Sequence, residues 1–385
     1  TVFSTWQNGG IFKAGRGTYV SGPGANAATN GMDSCYQNKT SLKMDAALTP
    51  IGNTFITNLS TSTGAADNKG YFMFIRGDRV STNFFIPNCT TTTLSSTGKL
   101  QTNSQTFNLS PVAGAFSLIG NPFASPVDFT KLVRANVMNR FYVWDPYLNT
   151  QQGGYVMLDT TGSAPAYTLS PSISPGGQTT IIQSSQAFFV QTLAAGPASI
   201  TFTESAKSSV NNLSIFRPVP EQIGAFRTNL YFNDADTAVL ADGNLAQFDN
   251  DFKAEVNEQD AMKLSNVFET FGILNEGKIL AADRRPILLA NDTIFYKLIG
   301  ANQRQYQLRF VPSNLNPDLT PLFQDSYTGK TTELSISQPS AINFTVDATT
   351  ASQAENRFRI VFVKPLVYTS VNAALQKRNI AVDWS

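Results

Sequence analysis

The sequence predicts an all-β protein, with two or more antiparallel β-sandwich domains of jelly-roll or immunoglobulin-like kind in tandem. Three observations carry this. Short runs rich in Val, Ile, Phe, Tyr and Thr recur between clusters of Gly, Pro, Asn and Ser, the rhythm of strands and turns. In the clearest run Phe358, Ile360 and Phe362 alternate with Arg357, Arg359 and Val361, a period of two that buries one face. Helical periodicity is scarce.

Taken in order, residues 1–60 are rich in Gly, Asn and Ala with weak strands; they complete the first domain or belong to a truncated upstream module. A strand at 71–75 leads into Arg76-Gly77-Asp78, placed on a hairpin tip. Integrin capture is one reading of that tripeptide, and a plain Gly-Asp turn is the weightier one. Phe116, Leu118 and Ile119 form a strand that Gly120, Asn121 and Pro122 stop. Pro126 and Asp128 open a one- or two-turn helix over 129–137, with Asp128 capping its N–H groups. The strand at 141–144 ends at Asp145-Pro146, a turn-initiating pair. Strands at 187–191 and 199–203 complete a domain spanning 61–208. The Ser- and Asn-rich stretch 204–222, closing on Pro218 and Pro220, marks the boundary to a second domain at 209–363. That domain carries strands at 229–232, 294–299, 306–311 and 357–363, and a short helix within 251–264. Residues 364–385 hold two more strand-like pieces, 366–374 and 379–384.

The GAFSLIGNPFASPVDF stretch at 114–129, followed by FYVWDP at 141–146, resembles the LIGNPxxSPxDF and FYVWDP stretches of large surface proteins that Bacteroidetes-type bacteria export by type IX secretion. The tail at 364–385 resembles the opening strands of the immunoglobulin-like module that begins many sorting regions of that system. The resemblance covers about residues 70–385 and places the protein outside the cell or on the outer-membrane surface. It implies neighbouring modules of one parent protein and the secretion machinery as partners, and that the start of the exported protein is not part of this sequence. It also implies O-glycans at Asp-Ser/Thr sites, which here are Thr160, Thr237 and Thr293.

Composition narrows the chemistry. The 385 residues contain no histidine, which removes Ser-His-Asp and Cys-His nucleophiles, His-containing zinc sites and non-haem iron triads. A net charge of +1 and only 14% charged residues provide no field for nucleic acid or an anionic membrane. No apolar run reaches the ~20 residues of a membrane span. Cys35 and Cys89 form a disulfide, as an oxidising exterior favours, or remain two buried thiols. Paired carboxylates are the chemistry that remains for a glycosidase, with Asp145, Asp159, Glu204, Asp249, Asp251 and Glu255 as candidates; solvated loop carboxylates are the commoner outcome. Asp234, Asp236 and Asp242, with Asp249 and Asp251, make two acidic loops of hard oxygen ligands suited to structural calcium; Asx-turns are the competing account. Tyr142, Trp144 and Tyr147 are candidates to stack on sugar rings, weighed against packing in the core. Sequons such as those at Asn58 and Asn212 are incidental in a bacterial, Asn- and Thr-rich chain. The expected role is a non-catalytic structural or adhesive segment of a fibre or matrix, pairing with other copies through edge strands. A glycan-binding or accessory module of a polysaccharide-degrading enzyme is the alternative.

Overall fold

The computed structural model describes residues 5–20, 31, 33, 41–43, 70–73, 77–80, 92–95, 99–151, 153–159, 167–209, 223–234, 237–364, 371–376 and 379–384. The chain divides into two units, Thr1–Val219 and Pro220–Ser385. Nearly all regular structure is β, in several antiparallel sheets, as the turn-punctuated pattern predicts.

The first unit contains β1 (Ser41–Lys43), β2 (Tyr71–Met73), β3 (Gln105–Asn108), β4 (Phe116–Gly120), β5 (Val127–Asp128), β6 (Val133–Ala135), β7 (Val137–Asp145), β8 (Gly154–Asp159), β9 (Thr168–Ser170), β10 (Ile181–Ile182), β11 (Ala187–Thr192) and β12 (Ser199–Phe202). A five-stranded sheet runs β4-β11-β7-β8-β9, a three-stranded sheet runs β3-β12-β6, and β1-β2 and β10-β5 pair separately. Phe188 of β11 meets Phe202 of β12 at 6.2 Å, so the two larger sheets share a core, which Phe123 and Phe129 complete. Burying each such ring contributes about 1.5–3 kcal/mol.

One expectation fails here. In place of a helix over 129–137 there is a single 3-10 turn, Phe129–Lys131, followed directly by β6. Asp128 does cap it, accepting from the Thr130 N–H at 3.0 Å. The Arg134 guanidinium then donates to the carbonyls of Phe129 (2.6 Å) and Leu132 (3.2 Å), satisfying acceptors that a continuing helix would need.

The second unit contains β13 (Gly224–Asp234), β14 (Thr237–Phe248), β15 (Ala261–Met262), β16 (Thr270–Asn275), β17 (Lys278–Arg285), β18 (Thr293–Ile299), β19 (Gln305–Ser313), β20 (Thr320–Asp325), β21 (Lys330–Glu333), β22 (Ser340–Thr345) and β23 (Phe358–Val363). They form one sheet in the order β21-β20-β23-β18-β16-β17-β14-β13-β19-β22, with β15 also beside β17. Every pairing is antiparallel except β14 with β17. Phe226 of β13 lies 5.9 Å from Phe362 of β23, and Phe344 of β22 lies 4.7 Å from Phe358 of β23. These strands stand far apart in the hydrogen-bonded order, so the sheet doubles over and closes on one apolar core. The alternation in β23 holds for one face, where Phe358, Ile360 and Phe362 are buried; on the other Arg359 is exposed and Val361 half-buried, but Arg357, expected on that wet face, is 3% exposed because its guanidinium is bound to Asp325. Beyond it β24 (Val371–Gln376) and β25 (Asn379–Trp384) pair with each other.

The helix expected within 251–264 is also absent; turns and the two-residue β15 take its place. Side chains supply the reason. Asp249 accepts from the Asp251 N–H at 3.0 Å, Asn257 from the Gln259 N–H at 2.9 Å, and Asp260 from the Asn257 N–H at 2.8 Å. Each local bond takes an amide that an α-helix would use.

Candidate functional site

The stretch 114–146 resolves into three polar clamps. The Asn121 side-chain amide donates to the carbonyls of Ser125 (2.9 Å), Gln183 (3.1 Å) and Ile182 (3.3 Å), while its Oδ1 accepts from the Phe123 N–H at 3.0 Å. Asp128 is the turn cap described above. Asp145, wholly buried at the end of β7, accepts from the Ser174 hydroxyl at 2.5 Å, the Gly176 N–H at 2.8 Å and the Tyr147 N–H at 2.9 Å. A Cβ on Gly176 would lie 2.4 Å from Asp145 Oδ1, so only glycine lets the backbone come this near the carboxylate.

Tyr142, the first of the three candidate sugar-stacking rings, is corrected to a core residue. Tyr142 is 1% exposed and its ring packs edge-on to Phe116 at 5.3 Å. Trp144 is half-buried against Tyr155 at 4.9 Å, and Tyr147 alone of the three is exposed. The physical reason is position: β7 is the central strand of five, and Phe141, Val143 and Tyr142 are all buried, so both of its faces are covered.

The acidic residues do not converge. Asp234 is exposed where β13 ends, Asp236 lies outside the described residues, and Asp249 and Asp251 lie past the far end of β14. The twelve residues of β14 lie between these two groups, so they stand at opposite ends of one strand. Asp242 is not in a loop at all but within β14. Among the described residues no group of three or more Cys, Asp or Glu side chains is placed to hold a metal ion. The other candidate acids have partners of their own. Asp159 faces Arg140 across β7 and β8 at 3.7 Å, both buried. Glu204 pairs with Lys207 at 2.7 Å and caps the Asn103 N–H at 2.7 Å, which together hold its carboxyl below the usual range. Glu255 is exposed.

Thr237 and Thr293 are the first residues of β14 and β18 rather than loop residues; Thr237 is exposed and Thr293 half-buried. Thr160, Cys35 and Cys89 lie outside the described residues. The Arg76-Gly77-Asp78 reading as a capture loop is corrected as well. Arg76 lies outside the described residues, but Asp78 is 2% exposed and accepts from the N–H groups of Gly15 (2.9 Å) and Val80 (2.8 Å). The carboxylate that capture would need is engaged within the fold. Next to it Arg79 donates to Asp33 at 2.6 Å and to the Gln7 carbonyl at 3.0 Å, which ties residues 5–20 to 77–80.

Among the described residues, one set of buried ionisable groups is not suggested by the sequence pattern. It lies on β14, β16 and β17 and the segment joining β14 to β16. Asp242 bonds Lys263 Nζ at 2.5 Å and accepts from the Phe271 and Gly243 N–H groups at 2.8 Å each. The two side chains are 0% and 3% exposed. Burial pushes the Asp242 carboxyl above its usual range, against the pull of Lys263 and of the two amides. Nearby, Asp260 accepts from the Arg284 N–H at 2.7 Å, and the Arg284 Nε donates to Gln247 Oε1 at 2.8 Å. The only signal for this cluster in the sequence is a lysine between Met262 and Leu264, where an apolar side chain is the default. A second knot joins Glu269, also fully buried, to Arg304, to the Tyr306 hydroxyl at 2.6 Å and to the Asn302 amide at 3.2 Å.

Among the described residues no helix is long and apolar enough to cross a membrane. No family model, curated protein or solved structure matches the chain.

Proposed function

We propose that this chain is a non-catalytic scaffold segment of a large extracellular bacterial protein, one that works by presenting and spacing surface. The observation that carries this reading is the fate of the 114–146 stretch: Asn121, Asp128 and Asp145 direct their polar atoms onto neighbouring turns, and Tyr142 is buried. Side-chain oxygens and amides spent on neighbouring backbone in this way serve to fix turns. The resemblance of the same stretch to type IX cargo supports export and a cell-surface location, with neighbouring modules and the secretion machinery as partners.

The test is turnover. The purified chain is incubated with a panel of polysaccharides and peptides, and no product is expected. A product whose formation disappears when one carboxylate is changed to its amide would overturn the reading. Antibody labelling of intact, unpermeabilised cells of the source bacterium checks the location, and signal only after permeabilisation would contradict it.

A further inference from the structure

Asp242 and Lys263 meet in an enclosed site to which three segments contribute: β14 brings the carboxylate, the residue following β15 brings the amine, and β16 brings the Phe271 N–H. Nζ is fixed from two directions, donating to Asp242 Oδ1 and, at 2.8 Å, to the Gly243 carbonyl. The carboxylate is equally fixed, with Gly243 N–H on Oδ1 and Phe271 N–H on Oδ2. Both side chains are closed off from solvent.

We propose that Lys263 and Asp242 condense, without an added enzyme, into an intramolecular isopeptide bond that staples β14 to the segment after β15. The neutral amine attacks Cγ of the neutral acid, forming an N–Cγ bond. The Cγ–O bond then breaks, and the hydroxyl departs as water with a proton that the nitrogen gives up. Nothing is oxidised or reduced, and no co-reactant is needed. The geometry favours each part of this step. Holding amine and carboxyl in contact replaces a bimolecular encounter by an intramolecular one. The Phe271 N–H points at Oδ2, the oxygen on which negative charge develops in the tetrahedral intermediate when Oδ1, beside Nζ, is the one that leaves as water, as an oxyanion donor does. Exclusion of bulk water disfavours the reverse hydrolysis. Burial also raises the neutral fraction of the Asp242 carboxyl, which is the form that loses hydroxide equivalents as water. The bond would close the turn-rich stretch between residues 242 and 263 into a covalent ring. This inference is independent of the scaffold reading.

The test is the intact mass of the full chain under denaturing conditions, followed by proteolysis. The expected result is a mass one water below that of the linear sequence, and a branched peptide joining the Asp242 and Lys263 segments. Lys263→Arg is expected to restore the linear mass. Asp242 precedes Gly243, a pair that can also lose water by closing a succinimide on the glycine nitrogen. A one-water deficit that persists in Lys263→Arg therefore overturns the proposal, and so does the linear mass in the unsubstituted chain. If Lys263→Arg fails to fold, fragmentation of the branched peptide from the unsubstituted chain decides alone, and its absence overturns the proposal.

Discussion

Asp347 shows how much of this protein is held by single polar side chains on its own turns. It follows β22 at the surface and accepts from the Thr349 hydroxyl at 2.6 Å, the Thr349 N–H at 2.8 Å and the Tyr327 hydroxyl at 2.8 Å. Those donors, Thr349 first, pull its carboxyl down from 3.8 to about 2. A carboxyl lowered in the folded state favours folding above its unfolded value and loses that contribution as the pH falls through the folded one. The expected outcome is that Asp347→Asn lowers the denaturation midpoint at pH 7, and that the gap to the unsubstituted protein closes as the pH falls from 3.8 to about 2. Denaturant titrations at a series of pH values check this; a gap that stays constant down to pH 2 would contradict it. Asp325 belongs to the same class. Burial works to raise its carboxyl, yet the two bonds from Arg357, at 2.7 and 2.6 Å, and the guanidinium charge outweigh burial and leave it below the usual range.

At the scale of elements, the turn joining β7 to β8 is tightly constrained. Asn149 and Thr150 adopt left-handed backbone, with φ of 54° and 52°, and Gly153 follows with φ of 84°. A Cβ on Gly153 would lie 2.3 Å from Trp144 Nε1, so the ring one residue before the end of β7 packs directly on the glycine that precedes β8. Gly153→Ala is expected to destabilise the first unit by about 1–3 kcal/mol, from overpacking and the positive φ. Chemical denaturation followed through tryptophan emission measures this, and a change below about 0.5 kcal/mol would show that Trp144 can move aside. The same element shows what was legible beforehand. Asp145-Pro146 reads as a strand end because its turn chemistry is local, and β7 does end at Asp145. The strands at 187–191, 199–203, 294–299, 306–311 and 357–363 were legible for the same reason, since periodicity and punctuation lie within a few residues. The burial of Tyr142 was not legible, because alternation along one strand says nothing about whether a second layer covers the other face. Lys263 was missed for a related reason. Its partner lies in another strand, and pairing across a doubled sheet is fixed by topology that no local window contains. The helices expected at 129–137 and 251–264 failed where side chains of Arg134, Asn257 and Asp260 took over backbone partners.

At the scale of the whole molecule, two units each close their own core, and the second has all of its large-sheet strands within residues 224–363. Residues 220–385 expressed alone are therefore expected to unfold in one cooperative transition, with dispersed amide resonances. A broad, non-cooperative melt would show that the unit depends on the rest of the chain. The contact of Phe226 with Phe362 carries this further. β13 opens the unit and β23, the last strand of its large sheet, sits between β18 and β20, so those two share no neighbour until it arrives. Closure depends on pairing between distant parts of the chain, the kind that forms slowly. A polypeptide delivered from its amino end must therefore wait for its closing strand, and a conduit that accepts only extended chain would receive this unit before it can lock, with nothing to pull apart first.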